Sequence, residues 1–433
     1  MRKIKLAFCG FLIVLSGLWI AADPLVSARS LLVDYSGIVG IGALSVAMML
    51  AVRSVFLEHY LGGLEKIHRL HKWFGITGLA ISVIHWLSTQ APLWAIRPDW
   101  MQGPARMSEQ TENAFQFLAD QRATALAVGN WALCAVILLT ALALLKPLLY
   151  RHFFKTHWLL AILYLFLVFH SVVLMKGSYP SEGLVPVMAL LMIGGSAAAF
   201  RILFRKLGRS RRTVGILDEI THNADLCLLE VTVQLEDRWS GYEAGQFAFV
   251  TFGDRGGPRP FTIASTWNAK ERRLHLVKEL GDNTKWLSGS LKVGDLVKVE
   301  GPYGSFNFRG DKPRQIWVSV GIGITPFISS MKRLANQSDG KIIDLFHMTT
   351  VFDEKIIRKL QRHAQEAHVR LHVLVNAKDG RLNAERICQA VPEWKSGDVW
   401  FCGPPGFGQD LRRDFSLKGL SNNDFHQELF HMR

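Results

Sequence analysis

The chain has 433 residues, of which 49% are hydrophobic and 20% are charged, and its formal net charge is +14. This composition, with only five cysteines and no CxxC pair, excludes a collagen-like chain, a disordered chain and a disulfide scaffold. The charge is unevenly distributed, because residues 1–208 hold 27 charged residues and residues 209–433 hold 59. A charge-poor half followed by a half with the charge density of a soluble protein predicts a membrane domain fused to a soluble region.

Six apolar stretches in the first half are each long enough to cross a membrane, which takes about 20 helical residues for ~30 Å of hydrocarbon. The predicted spans are 6–22, 37–57, 73–94, 127–149, 157–175 and 184–204. The first stretch follows a basic start, so a cleaved signal peptide is the alternative interpretation of that segment.

The lysines and arginines of this half predict its orientation. The segments 2–5, 53–72, 146–155 and 201–206 hold thirteen of the eighteen, and the loops on the other side hold five. Because basic residues concentrate on the inner side of membrane proteins, the N-terminus and the soluble half are predicted to be cytoplasmic. Orientation and lipid contact account for these basic clusters, so we expect no nucleic-acid partner.

Two predicted spans carry two histidines each, His71 and His85 on the third and His157 and His170 on the fifth. Ionisable side chains inside a span are costly and by default mark function. Both spans run from inside to outside, so each level of the membrane receives one histidine from each span. Two opposed imidazoles are the axial ligands of a six-coordinate haem iron, and 14 helical residues rise ~21 Å, which predicts two stacked b-type haems.

The spacing on the fifth span does not fit an ideal helix. At ~100° per residue, 14 residues bring His71 and His85 near one face, but 13 residues leave His157 and His170 about 140° apart. We therefore predict a π-bulge or a helix tilt in this span. His152, 18 residues before His170, is the alternative inner ligand.

The predicted secondary structure of the second half changes near residue 314. Before it, short segments punctuated by glycine and polar residues predict an antiparallel barrel, with strands at 213–218, 226–234, 246–252, 273–277 and 296–299. After it, strands alternate with helices, which predicts a parallel α/β sheet. The predicted strands there are 315–320, 342–347, 369–375 and 398–402, and the predicted helices end at 334 or span 354–366 and 383–390.

Four segments of this half have the chemistry of nucleotide binding. Residues 259–265 place a cation, an aromatic ring and a hydroxyl on one strand, and arginine can clamp a diphosphate. Residues 277–284 lead into a helix start, where backbone N–H groups bind phosphate. Residues 320–327 join a strand to a helix through two glycines, without the third glycine of the dinucleotide fingerprint. Residues 401–407 follow the last strand, at the edge where open sheets bind ligands.

The sequence motifs in these segments, taken in chain order, resemble those of a known family. Arg-Pro-Phe-Thr, Gly-Asp-Asn-Thr, Glu-Gly-Pro-Tyr-Gly, Gly-Ile-Gly-Ile-Thr-Pro and Cys-Gly-Pro-Pro-Gly resemble the ferredoxin–NADP reductase family. The paired histidines resemble the transmembrane family of ferric reductases and NADPH oxidases. The whole chain is therefore similar to bacterial ferric reductase/NADPH oxidase-like flavocytochromes.

The resemblance implies three domains and the residues of their sites. They are a six-helix transmembrane haem-binding domain (1–208), an antiparallel β-barrel FAD domain (209–312) and an α/β NAD(P)-binding domain with a parallel sheet (313–433). The implied FAD residues are Arg259, Pro260, Phe261 and Thr262, with Gly281 and Thr284 at the phosphates. The implied nicotinamide nucleotide residues are Gly321, Gly323, Thr325, Pro326, Cys402, Gly403 and Pro404. Catalytic roles are implied for Thr262, Cys402 and Phe430, the last as the aromatic ring of the terminal strand that covers the flavin.

The function implied is electron transfer from cytoplasmic NADPH or NADH through FAD and two haems to an acceptor outside a bacterial cytoplasmic membrane. A ferric complex, a periplasmic partner and dioxygen are the candidate acceptors. Thr89 stands where some oxidases carry a further histidine, which favours a ferric complex or a periplasmic partner over superoxide production. A haem-binding transporter or sensor with a reductase module is the alternative of another class.

Overall fold

The structure is a computed structural model. It describes residues 2–22, 28–94, 120–144, 156–175, 183–204, 208–223, 228–236, 239, 241–253, 257–279, 287–350 and 352–428. The chain divides into two compact units, Met1–Leu207 and Gly208–Arg433.

The first unit is helical. Its helices are α1 (Arg2–Ala22), α2 (Ala28–Ala51), α3 (Val55–Leu61), α4 (Leu64–Trp94), α5 (Arg122–Leu144), α6 (Leu159–Leu174) and α7 (Leu184–Leu203). Large apolar side chains on them face outward, among them Ile13, Trp131 and Leu190, each more than two-thirds exposed. A water-soluble bundle would bury such residues, so these helices have the surface of a membrane protein.

Three helical segments are long and apolar enough to cross a membrane, namely Leu32–Ala51, Arg122–Ala141 and Leu184–Leu203. The helices at Lys5–Ala21 and Leu159–Leu174 are apolar but shorter. The predicted third span lies in α4, where polar residues such as His85 and Ser88 lower the mean hydropathy of the helix. Three of the six predicted spans, 37–57, 127–149 and 184–204, thus coincide with candidate membrane-crossing helices in the described part of the chain, and the other three stay predictions.

The helices of this unit pack around α2, which lies along α4 and α7, while α5 lies along α6. The buried core includes Leu15 of α1, Val39 of α2, Tyr164 of α6 and Met188 of α7. A buried hydrogen bond of 2.8 Å joins the hydroxyls of Ser45 and Tyr164, and so links α2 to α6. Polar contacts of this kind stabilise helix association in apolar surroundings.

The second unit begins with a closed barrel. Its strands are β1 (Arg212–Asn223), β2 (Leu228–Leu235), β3 (Phe247–Phe252), β4 (Arg259–Ile263), β5 (Arg273–Glu279) and β6 (Leu296–Tyr303), in the order β1-β2-β5-β4-β3-β6. All neighbouring strands are antiparallel, which confirms the predicted architecture. Alternate residues such as Val250 and Phe261 fill its interior, as the two-residue period of a strand requires. A short helix, α8 (Leu287–Ser290), precedes β6.

The barrel is followed by an α/β domain with a five-stranded parallel sheet, as predicted. Its elements are β7 (Arg314–Val320), α9 (Thr325–Asn336), β8 (Ile342–Thr349), α10 (Glu354–Glu366), β9 (Arg370–Val375), α11 (Asn376–Asp379), α12 (Ala384–Ala390), β10 (Gly397–Cys402), α13 (Pro405–Leu417) and β11 (Phe425–Glu428). Buried clusters cover both faces of the sheet, one including Val318 and Phe401 and the other including Trp317 and Phe327.

The order of these strands is β11-β10-β7-β8-β9. The chain runs outward from β7 through β8 to β9 and then returns to the other side of β7 to form β10. The direction of winding therefore reverses between β7 and β10. Open parallel sheets bind ligands at the carboxyl ends of the strands at this reversal. The loops that start at Gly321 and Gly403 lie there side by side.

Candidate functional site

Each predicted histidine pair is brought together between α4 and the segment leading into and along α6. The ring centroids of His71 and His157 are 6.1 Å apart with planes at 73°, and those of His85 and His170 are 6.4 Å apart with planes at 89°. One metal ion between two imidazoles needs about 2.0 Å for each bond and ~1.1 Å from each nitrogen to its ring centre, hence ~6.2 Å between centroids. Both separations fit one iron ion.

A local irregularity at Trp158 accounts for the position of His157. Thr156 and His157 are helical, Trp158 is a turn, and α6 starts at Leu159. The Ala161 N–H donates to the Trp158 carbonyl oxygen at 3.0 Å, a three-residue step that tightens the helix. The ideal-helix angle between His157 and His170 therefore does not apply. The irregularity at Trp158 is a tight turn and not a π-bulge, and the helix tilt, the other predicted alternative, stays a prediction. The alternative ligand His152 lies outside the described residues.

Backbone carbonyl groups orient three of the four rings. The Nδ1 atoms of His71 and His85 lie 2.8 Å and 3.0 Å from the carbonyl oxygens of Ala47 and Val33 on α2. The Nδ1 atom of His170 lies 2.8 Å from a carbonyl oxygen of α5, that of Ala125. An Nδ1–H that donates to a carbonyl fixes the tautomer with the lone pair on Nε2, which is the nitrogen a metal ligand needs.

Two glycines make room for the second pair, His85 and His170. A β-carbon on Gly129 would overlap the His170 ring, and one on Gly37 would lie 3.3 Å from the His85 Cε1 atom. Sequence reasoning missed both residues, although small residues inside an apolar span are a known signal of close helix approach. In the described part of the chain no cluster of three or more His, Cys, Asp or Glu side chains could hold a metal ion. The two-histidine pairs are therefore the candidate iron sites there.

The predicted flavin segment forms β4. Thr262 is buried and pairs with Phe247 and Val277, while Arg259 is half-buried at the start of the strand. The Phe261 ring is 1% exposed and packs against Phe252 inside the barrel. Its side chain thus stabilises the barrel core, and a direct contact between this ring and FAD stays a prediction. Sequence reasoning missed Lys278, whose Nζ donates to the Pro260 carbonyl oxygen at 3.1 Å.

The predicted nicotinamide segments meet at the reversal of the sheet. Gly321 has a φ of 55°, in the left-handed region that favours glycine. A β-carbon on Gly323 would overlap the Cys402 carbonyl group, so glycine is required for the two loops to touch backbone to backbone. Thr325 starts α9 and its hydroxyl donates to the Ile322 carbonyl oxygen at 2.9 Å. These loops place a helix start beside the carboxyl ends of β7 and β10, an arrangement suited to phosphate.

The remaining predicted residues differ in accessibility. Pro326 is buried in the first turn of α9, and Pro404 is exposed just before α13. Cys402 is 0% exposed and belongs to the sheet core, so its thiol does not face solvent and its catalytic role stays a prediction. Gly281, Thr284 and Phe430 lie outside the described residues.

His347 is a buried group near this edge that sequence reasoning missed. It lies on β8 opposite Ser319, and its Nδ1 atom is 2.9 Å from the Ser319 Oγ. Burial lowers the pKa of His347 to about 4, so the ring is neutral at pH 7. A neutral imidazole avoids placing a charge in the interior of the sheet.

Known protein families match both units. Residues 36–168 match the family described as ferric reductase like transmembrane component, and residues 215–308 match the oxidoreductase FAD-binding domain. These matches confirm the predicted fusion of a ferric reductase-like membrane domain with a flavin-binding reductase module.

Curated relatives match parts of the chain. Flavohemoprotein B of Dictyostelium discoideum is 27% identical over 40% of this chain and 45% of its own length. The ferredoxin reductase component of 3-ketosteroid-9-alpha-monooxygenase from Rhodococcus rhodochrous is 25% identical over 50% and 64%. An NADPH oxidoreductase of Mycobacterium tuberculosis is 31% identical over 33% and 38%. The matches thus span between about two-fifths and two-thirds of the length of these relatives.

Among solved structures, the flavohemoglobin of Malassezia yamatoensis with bound FAD and heme aligns with 93% of this chain and 96% of its own. The sequence identity is 17% and the TM-score 0.49.

Proposed function

We propose that this chain, a ferric reductase-like membrane domain joined to a flavin-binding reductase module, carries electrons across a membrane. The donor is NADPH or NADH on the cytoplasmic side, and the route is FAD, an inner haem and an outer haem. The flavin supplies the conversion of a two-electron hydride into single electrons, which haem iron carries. The acceptor is a ferric complex or a periplasmic partner outside a bacterial cytoplasmic membrane.

The observation that carries this proposal is the geometry of the histidine pairs. His71 and His157 hold the inner haem, and His85 and His170 hold the outer one. Each pair has the ring separation that one iron ion needs, and backbone carbonyl groups of α2 and α5 orient three of the four rings. The 14 residues from His71 to His85 correspond to a ~21 Å rise along α4, which separates the two iron sites across the bilayer.

The soluble unit supports the donor side of the route. Its barrel matches an FAD-binding domain, and β4 carries Arg259, a bidentate cation suited to the FAD diphosphate. The glycine loop at 321–324 and the start of α9 receive the nicotinamide nucleotide at the reversal of the sheet. The excess of lysine and arginine at one set of loop ends supports a cytoplasmic location for this unit.

The assignment of the acceptor rests on the surroundings of His85. Thr89 follows His85 by one turn of α4, and its hydroxyl donates to the Trp86 carbonyl oxygen at 2.7 Å. A hydroxyl engaged in its own helix is a poorer proton donor to bound dioxygen than an imidazole would be. This favours an acceptor that takes an electron without protons, such as a chelated ferric ion.

Haem quantitation of the purified protein tests the proposal. The wild type should contain two haems per chain, and either His85→Ala or His170→Ala should contain one and still allow flavin reduction by NADPH or NADH. His68→Ala is the matched control, because His68 lies three residues before His71 on α4 and its Nδ1 contacts the Leu64 carbonyl oxygen of its own helix at 3.0 Å. One haem in the wild type, or an equal loss in His68→Ala, would contradict the assignment.

A further inference from the structure

Two hydrogen bonds connect the barrel to the α/β domain close to both predicted cofactor segments. The Ser329 hydroxyl donates to the Ser265 carbonyl oxygen at 2.9 Å, and the Lys332 ammonium donates to the Ala264 carbonyl oxygen at 2.8 Å. Ala264 and Ser265 directly follow β4, which carries the flavin segment. Ser329 lies one turn into α9, which starts at Thr325 directly after the glycine loop. The two cofactor segments are therefore joined through a few residues on each side.

The barrel end of this connection is itself held firmly. The Ser265 Oγ lies 2.6 Å from the Tyr242 hydroxyl and accepts a hydrogen bond from the His275 N–H at 3.1 Å. Burial raises the pKa of Tyr242, so its hydroxyl stays protonated and can donate to Ser265. Two barrel segments, one before β3 and one on β5, thus fix the residue whose carbonyl receives Ser329.

The α9 end is equally well defined. Ser329 is 0% exposed, and its neighbours Phe327 and Met331 are fully buried in the core of the α/β domain. A helix packed in this way moves as a unit with the loop at its start. A displacement of α9 relative to β4 therefore moves the glycine loop relative to the flavin segment.

We propose that Ser329 and Lys332 are positioning residues for hydride transfer, a role that rests on the proposed function. In that step a hydride with its two electrons leaves C4 of the nicotinamide and bonds to N5 of the flavin, which oxidises the nucleotide and reduces the flavin. Reacting atoms must approach to about 3–3.5 Å, and a misplacement of ~1 Å can cost ~100-fold in rate. The two hydrogen bonds hold the nicotinamide loop at the distance from β4 that this step requires.

Anaerobic stopped-flow measurement of flavin reduction in the full-length FAD-loaded protein tests this role. Ser329→Ala and Lys332→Met should each lower the limiting rate about tenfold or more, with the nucleotide Kd within about twofold and the FAD content unchanged. Lys332→Arg should recover most of the rate, because a guanidinium can donate to the same carbonyl. The flavin of Ser330→Ala should be reduced at the wild-type rate. This variant is the matched control because Ser330 is also 0% exposed and its hydroxyl has no hydrogen-bond partner within the described residues.

Each alternative outcome has a distinct meaning. Equal rates in Ser329→Ala, Lys332→Met and Ser330→Ala would overturn the positioning role. A rate loss that follows a matching loss of FAD content and melting temperature would also overturn it, since the bonds would then serve stability alone. If NADPH and NADH both fail to reduce the flavin of the wild type, the proposed function itself fails.

Discussion

Ser36 lies directly behind His85, with its Oγ 3.2 Å from the imidazole Nδ1 atom, which also lies 3.0 Å from the Val33 carbonyl oxygen. The Ser36 side chain is buried, and its hydroxyl donates to carbonyl oxygens of its own helix, so an oxygen lone pair is available to the ring N–H. The Nδ1 atom of His85, the proposed outer ligand, thus lies near both a carbonyl oxygen and a serine oxygen. The Nδ1 atom of His71, the proposed inner ligand, contacts the Ala47 carbonyl oxygen.

Ser36→Ala should raise the reduction potential of the outer haem. An acceptor on the ligand N–H increases electron donation to the iron and stabilises the ferric state, so its removal favours the ferrous state. A spectroscopic redox titration should show one of two haem midpoints moved upward and the haem content unchanged. Ser82→Ala, which removes a hydroxyl bonded to the Gly78 carbonyl oxygen of α4, is the control. An unmoved outer midpoint, or an equal shift in Ser82→Ala, would argue against this role.

Gly129→Ala should abolish binding of the outer haem. The added β-carbon would overlap the His170 ring, which must then rotate away from His85. We expect one haem per chain instead of two by haem quantitation, with the inner haem spectrum retained. Gly10→Ala on α1, where a β-carbon meets nothing within 4 Å, should keep both haems. Two haems in Gly129→Ala would show that the ring is not held by this close approach.

Gly323→Ala should weaken nicotinamide nucleotide binding without loss of FAD. The added β-carbon would press on the Cys402 carbonyl group and separate the two loops at the reversal of the sheet, and overpacking of this kind costs ~1–3 kcal/mol. The KM for NADPH should rise about tenfold. Gly17→Ala on α1 is the control, because a β-carbon there meets nothing within 4 Å and the residue lies outside the four nucleotide segments, so its KM should match the wild type. Equal KM values in the two variants would place the nucleotide elsewhere.

His347→Gln should reduce the acid sensitivity of the soluble unit. The folded-state pKa of His347 is lowered to about 4, so between that pH and the unfolded value near 6.5 the unfolded chain binds more protons. Stability therefore falls as the pH drops through this window, by roughly 3 kcal/mol at most. Urea unfolding followed by tryptophan fluorescence at pH 7 and pH 4.5 should show a smaller difference for the variant. An identical difference would mean that other groups dominate the acid response.

The sequence predicted the features that depend on local pattern and spacing. Short segments punctuated by glycine and polar residues predicted the barrel, and strands alternating with helices predicted the parallel sheet. The helix predicted over 354–366 has these ends in the structure. The histidine pairs were found because parallel spans place matched residues at matched depths, which requires only the rise of a helix.

The rest depends on tertiary contacts that a local pattern does not contain. The turn at Trp158 leaves no glycine or proline signal, and α13 starts inside a segment whose two prolines indicate a loop. The alternation of β4 did not reveal that the face bearing Phe261 is the barrel interior. The bond from Ser329 to Ser265 joins residues 64 positions apart, so only the folded chain shows it.

Electron transfer to the opposite side of a bilayer is the central claim, and proteoliposomes test it most directly. A ferric chelate is enclosed in the vesicles together with a ferrous indicator, and NADPH, which does not cross the bilayer, is added outside under anaerobic conditions. Only molecules with the soluble unit outward can react. The account predicts ferrous iron inside the wild-type vesicles and none with His85→Ala or His170→Ala, although NADPH still reduces the flavin in both. Ferrous iron that forms only when the chelate is outside, or that forms equally in the histidine variants, would contradict the account.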